Sequence, residues 1–277
     1  MRAHTRDFET AWHDVGIGPP VVLIHGLADD HRAWRRVAGR LMLDHRVILY
    51  DLRGHGESSL GTPEGRLAQL GADLLALCDA LELERCALAG FSLGGTVAMR
   101  AAIDAPDRVA ALALVATSSR VGGAAQSWYL ERATMVDDGD ERLRETLDRD
   151  TADVYRARPE ETDAGLHIRR ASTHDPRGYA NACRAMAGLR EHPLDDELHR
   201  ITAPTTILAG DQDQHCPPRA AEIIAERIPG SGLEVLPGAG HPLPIERPDE
   251  TAEAIRRITA AAAAATTTTT TTTAAGG

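Results

Sequence analysis

The sequence contains no lysine: all 30 of its basic Lys/Arg positions, among 277 residues, are arginine. We read that as coding bias rather than function. Phenylalanine occurs only at Phe8 and Phe91, and aromatic residues make up 3% of the chain. A core must therefore be filled by Leu, Val, Ile and Ala. The four cysteines, Cys78, Cys86, Cys183 and Cys216, form no C-x-x-C pair and no metal-ligand spacing. They are expected as free thiols, with Cys78 and Cys86 buried. No apolar run approaches the ~18 residues of a membrane span, so no membrane partner is expected. The first seven residues hold no apolar segment of the signal-peptide kind. The formal net charge is −11, which disfavours nucleic acid or an anionic membrane as a partner. A cytoplasmic, reduced setting is the expectation that follows.

What is present is a series of short apolar runs at 21–24, 46–50, 86–90, 110–116, 205–209 and 233–236. Most are bounded by Gly, Asp or Pro, as parallel strands buried on both faces should be. Helical periodicity lies between them, at 65–81, 93–104 and 218–228. Strands alternating with helices predict a mostly parallel, doubly wound α/β sheet. The alternation stops over 121–200, where only helical patterns occur, at 125–136, 140–150, 160–173 and 178–189. Such an insertion is expected to lie as a cap over the carboxyl edge of the sheet, where open α/β folds bind ligands. The expected organisation is a core over 1–120 and 201–259 and a helical cap over 121–200. A disordered Ala/Thr-rich tail is expected over 260–277, because a threonine homopolymer has no apolar face to bury, with prolongation of the last helix by the six alanines 260–265 as the alternative.

Chemistry enters at Gly90-Phe91-Ser92-Leu93-Gly94-Gly95. This is G-x-S-x-G directly after an apolar strand and directly before a helix, the context in which such a serine becomes a nucleophile. The turn is sharp, so small residues must flank it. The helix that follows aims its amino end at a developing anion. A serine hydroxyl needs a base, and His241 follows the last strand in Pro237-Gly238-Ala239-Gly240-His241-Pro242. His215 is its main rival, while His4, His13, His31 and His45 are expected at the surface. The orienting acid is sought after the strand 205–209, in Gly210-Asp211-Gln212-Asp213. Two aspartates compete there. Asp213, deeper in the loop, is taken as the acid, and Asp211 is expected to cap the turn or face solvent. The oxyanion hole is assigned to the backbone N–H groups of Leu93 and Leu27, the latter in His25-Gly26-Leu27. His25 is expected to brace that loop. Asp51-Leu52-Arg53-Gly54-His55-Gly56-Glu57-Ser58 reads as a scaffold loop pinned by internal hydrogen bonds.

Together these five ordered motifs, with Glu246-Arg247-Pro248 after the histidine loop, resemble the α/β-hydrolase superfamily from about residue 10 to 258. The all-helical cap and Gly178-Tyr179-Ala180-Asn181-Ala182-Cys183-Arg184-Ala185-Met186 resemble the 3-oxoadipate enol-lactonase-like and carboxylesterase branch. Several enol-lactonases carry Asn-Ser where this chain has His25-Gly26. The resemblance implies an α/β-hydrolase fold with a helical cap, no metal and no organic cofactor. It implies a small-molecule ester or lactone as substrate, cleaved through an acyl-enzyme. A C–C hydrolase of a vinylogous diketone and a non-catalytic ligand receptor are the competing functions. Dehalogenase and epoxide hydrolase chemistry is disfavoured, because relatives with those activities use Asp where this chain has Ser92. Trp128, Arg132, His167, Arg170 and Tyr179 are cap residues that could line a pocket.

Overall fold

A computed structural model describes the backbone of residues 1–274 and the side chains of residues 1–265. Eight strands form one sheet in the order β1-β2-β4-β3-β5-β6-β7-β8. They are β1 (Arg2–Thr5), β2 (Phe8–Val15), β3 (Pro20–Ile24), β4 (Arg46–Tyr50), β5 (Cys86–Phe91), β6 (Val109–Val115), β7 (Thr205–Gly210) and β8 (Gly232–Leu236). From β4 through β8 every neighbouring pair is parallel. β1 and β2 extend the sheet as an antiparallel meander, with β2 pairing to β4. The six apolar runs of the sequence thus become β3 to β8. The meander had no run to announce it, because β2 buries little beyond its first four residues.

Helices cover both faces, as continuous apolar strands require. On one face lie α2 (Leu67–Ala80), α3 (Leu93–Asp104) and α8 (Pro218–Ala225), packed on Val22, Ile48, Leu88, Leu112 and Ile207. On the other lie α1 (Arg35–Leu41) and α10 (Pro248–Ala274), packed on Val21, Leu23, Ala89 and Val115. Alternate residues of β3 therefore feed opposite cores. Between β6 and β7 the chain leaves the sheet and forms α4 (Gly123–Asp137), α5 (Leu143–Val154), α6 (Thr162–Ser172) and α7 (Pro176–Ala187). This insert has its own apolar cluster, built from Ala133, Leu147, Tyr179, Ala180 and Cys183, which meets the core at Ala28 and Leu27.

The carboxyl end of the chain departs from expectation. The alanines from 260 onward continue α10, which runs to Ala274 through the threonine tract rather than giving way to disorder at 260. Alanine is the best helix former, and Ala262 is buried in the α1/α10 core. Residues 275–277 lie outside the described residues. Among the described residues no helix is long and apolar enough to cross a membrane.

Candidate active site

The order of the sheet reverses at β3, with β4 on one side and β5 on the other. A cleft opens at such a switch point beyond the strands' carboxyl ends. Ser92 stands there, between β5 and α3, with φ 52° and ψ −121°. A non-glycine residue in that region stores on the order of 1–3 kcal/mol of strain. The surroundings enforce it. The Ser92 N–H donates to the Val115 carbonyl at 2.9 Å. Its own carbonyl accepts from Thr117 Oγ1 at 2.6 Å. A Cβ on Gly90 would collide with the Gly94 carbonyl, and one on Gly94 with the Ile24 carbonyl. The two glycines thus let the amino end of α3 press against the end of β3.

His241 occupies the loop after β8. Its Nε2 is 3.1 Å from Ser92 Oγ, and its Nδ1 is 2.8 Å from Asp213 Oδ2. His241 and Asp213 are both buried. The second carboxylate oxygen of Asp213 accepts the backbone N–H groups of His215 at 2.8 Å and Cys216 at 2.9 Å. Burial opposes the charge on Asp213, but His241 and those two amides prevail and hold its pKa below the usual carboxylate range. An ionised Oδ2 fixes the imidazole hydrogen on Nδ1 and leaves Nε2 to accept from the serine.

The two loops carrying these residues are tied together. Gln212 N–H donates to the Ala239 carbonyl at 2.9 Å. Asp211 accepts the Gly238 N–H at 2.7 Å, a turn-capping role away from the imidazole. Glu246 accepts the Gly240 N–H at 2.8 Å from the far side of the histidine loop. The rival His215 lies beside His241, ring centroids 5.2 Å apart, and its Nε2 is 3.5 Å from Asp153. It makes no hydrogen bond to Ser92, and burial pushes its pKa down to about 4.

The loop after β3 faces the serine. His25 accepts the Leu52 N–H at Nε2, 2.9 Å, and so carries its hydrogen on Nδ1, which donates to the Gly26 carbonyl at 2.8 Å. That brace fixes the backbone through Leu27. Among the described residues neither the Leu27 nor the Leu93 amide has a protein acceptor. The 51–58 loop is pinned partly from within and mostly by residues outside it. Asp51 accepts from His31 and from the Glu57 N–H, and the Arg53 guanidinium spans Asp73, Asp7 and the Leu60 carbonyl. Buried His55 bonds the Arg53 carbonyl and lies outside the catalytic cavity.

That cavity, of about 370 Å³, is floored by Leu27, Ala28, Phe91, Ser92 and His241 and roofed by the cap. Of the five cap residues singled out as able to line it, Trp128 and Tyr179 do so. Arg132 is tucked under the Trp128 ring and paired with Asp150. His167 and Arg170 are exposed on the outer side of α6, and Arg170 pairs with Asp148. A helix turns about 100° per residue, so it is the neighbouring Arg169 that lines the cavity. Sequence reasoning missed it, because periodicity in a charged helix does not say which face is roofed. Three histidines also differ from their expected surface positions. His13 is half-buried with its ring 4.1 Å from that of His31. His45 is buried against Thr259, and His31 is half-buried on Asp51.

Asp30, His31 and Asp51 bring potential cation-binding atoms within 4.8 Å of one another. Their atoms are already bonded to protein: Asp30 to Arg32, and Asp51 to His31 and Glu57.

Comparison with known proteins agrees with this architecture. A family model described as the alpha/beta hydrolase fold matches residues 19–248. The chain is 28% identical over 245 residues to 3-oxoadipate enol-lactonase 2 of Acinetobacter baylyi, covering 87% of this chain and 88% of that protein. It superposes on the enol-lactonase of Burkholderia xenovorans with a TM-score of 0.83 at 26% identity, covering 93% and 99% of the two chains. It superposes on a thermophilic esterase of Thermogutta terrifontis with a TM-score of 0.79 at 31% identity, covering 93% and 97%. With the elbow serine, the parallel sheet and the helical insert in place, the chain belongs to the α/β-hydrolase fold family.

Proposed function

We propose that this protein is a serine hydrolase that cleaves a small carboxylic ester or lactone through an acyl-enzyme. The observation that carries the reading is the hydrogen-bonded chain Ser92 Oγ–His241–Asp213 at the floor of a capped cavity. Ser92 attacks the substrate carbonyl while His241 Nε2 takes its proton. Asp213 holds the imidazole in the required tautomer and stabilises the imidazolium that forms. The negative charge on the carbonyl oxygen is met by the N–H groups of Leu27 and Leu93, the second at the positive end of α3. His241 then returns the proton to the leaving oxygen. Water, activated by the same histidine, attacks the acyl-serine and releases the acid.

The resemblance to proteins named as enol-lactonases and as an esterase supports ester or lactone as the bond class, including substrates like 3-oxoadipate enol-lactone. The reaction as drawn calls on no metal and no organic cofactor. The test is a screen of the purified protein against esters, lactones and dienols, run beside Ser92→Ala. Turnover of esters or lactones that Ser92→Ala lacks supports the reading. Turnover confined to dienol diketones replaces it with C–C hydrolysis, and no turnover at all favours a ligand receptor.

A further inference from the structure

Beside the catalytic cavity lies a second hollow, of about 290 Å³, between the end of α5 and the two loops that carry Asp213 and His241. Asp153, Val154, Gln214, His215 and His241 line both spaces. One layer of side chains therefore separates them, and His241 borders each. Asp153, Gln214 and His215 in that layer are exposed to solvent, although they line the cavity that holds Ser92. The layer is loosely closed. His215 Nε2 stands 3.5 Å from Asp153 Oδ2, too far for a good hydrogen bond. Burial and the neighbouring His241 also keep His215 uncharged at neutral pH, so no ion pair holds the two together.

Acyl transfer fixes which half of an ester can use this hollow. His241 Nε2 must deliver its proton to the leaving oxygen, so the alcohol departs on the histidine side of the carbonyl. The hydrolytic water gives its proton to the same nitrogen, so by microscopic reversibility it attacks from where the alcohol left. The catalytic cavity, with Trp128, Tyr129 and Leu147 on its cap side, suits an apolar acyl chain. The second hollow differs in chemistry. Gln212, Gln214 and His215 offer neutral donors and acceptors there. Its two charged side chains, Asp153 and Arg156, are paired with each other. A neutral group that can hydrogen-bond matches this lining. A charged group or a long alkyl chain does not.

We propose that this hollow is the leaving-alcohol site, that it takes a short, neutral, hydroxyl-bearing alcohol, and that Gln214 and His215 select it. The proposal rests on the hydrolase reading above and names the alcohol half of the substrate. Both residues act on specificity, and the proton transfers stay with His241. The volume corresponds to roughly ten waters at their liquid volume, room for an alcohol of about three carbons with its hydroxyls. The same site accepts such an alcohol in place of water. Its oxygen attacks the acyl-serine carbonyl, its proton passes to His241 and then to Ser92 Oγ as the acyl-serine bond breaks, and a new ester leaves.

Two butanoates of equal heavy-atom count test it, the 2,3-dihydroxypropyl ester and the 2-methylbutyl ester. Each kcat/KM is divided by that ester's own rate of alkaline hydrolysis, which removes the difference in leaving-group reactivity. Wild type should then prefer the dihydroxypropyl ester by roughly tenfold or more. Gln214→Leu and His215→Leu should each cut that ratio by roughly three- to tenfold, the size of one lost hydrogen bond, mainly through KM. A general effect on the triad cancels in the ratio. A second measurement needs no variant. With methyl butanoate as acyl donor, glycerol should capture more of the acyl-enzyme than 2-methylbutan-1-ol at the same concentration, read as new ester formed per butanoate released. A wild-type ratio near one, equal capture of the two alcohols, or variants that slow both esters alike overturns the proposal and leaves the hydrolase reading standing. Absence of turnover on every ester and lactone overturns that reading and the proposal with it.

Discussion

Replacing Asp213 by asparagine should cripple the enzyme, and the structure says by which route. One oxygen of Asp213 accepts two backbone N–H groups, from His215 and Cys216, while the other faces His241 Nδ1 at 2.8 Å. An asparagine has one oxygen and one NH₂ to divide between these places. With the oxygen kept on the two amides, the NH₂ faces Nδ1 and forces the imidazole hydrogen onto Nε2. Nε2 then donates toward Ser92 and cannot accept its proton. Flipping the amide restores the tautomer but sets an NH₂ against two buried donors, at about 1–3 kcal/mol for each donor left unsatisfied. The inactive tautomer is therefore favoured by a few kcal/mol. The same change in a serine protease triad lowers kcat by ~10⁴, and a loss of that order is expected here. Asp211→Asn keeps an oxygen for the Gly238 N–H and should leave kcat near wild type. The assay is kcat for both variants on one good ester, with melting temperatures to confirm folding. A nearly unaffected Asp213→Asn, or a crippled Asp211→Asn, would refute the reasoning.

Three further expectations concern stability. Burial opposes the charge on Asp51, but the His31 contacts and the Glu57 amide hold its pKa down to about 2, from 3.8. A depressed carboxylate stabilises the fold above its unfolded pKa and loses that contribution as pH falls through the folded value. About 2 kcal/mol of unfolding free energy should therefore disappear between pH ~4 and ~2, and denaturant titrations of Asp51→Asn should lack that step. Arg53→Met should destabilise by about 3 kcal/mol, measured by urea unfolding, because it removes the fully buried partner of Asp73 and leaves that carboxylate only the partly exposed Arg6 at 3.2 Å. Deleting 266–277 should change neither melting temperature nor activity, since among the described residues the buried positions of α10 end at Ala262. A drop of several degrees would show that the tail docks.

How much of this was legible depends on whether a signal was local. Strands β3 to β8 were readable because burial on both faces forces uninterrupted apolar runs. The elbow was readable because a strand-to-helix turn this sharp requires glycine two residues to either side of Ser92, at Gly90 and Gly94. Asp213 and His241 could be assigned because each follows a recognisable strand end, and the structure brings both to Ser92. β1 and β2 were not readable, since an edge meander with one wet face carries mixed polarity. α1 escaped because its seven residues, four of them Val37, Ala38, Gly39 and Leu41, give too short a period. The cap was recognisable as helical, but its inward face was not. Arg169 and Arg170 look alike in sequence, and only the roofing of α6 over the cavity separates a buried cation from a solvated one.

The central claim is that Ser92, activated by His241, forms a covalent acyl-enzyme. A phosphonate ester that traps serine nucleophiles reads this directly by mass spectrometry. Arg85 and Arg100 bracket Ser92, so trypsin releases it in the single peptide 86–100. The account predicts one equivalent of adduct, confined to that peptide at Ser92, absent from Ser92→Ala and greatly slowed in His241→Ala. An adduct on another residue, or turnover by Ser92→Ala at a rate comparable to wild type, would contradict it.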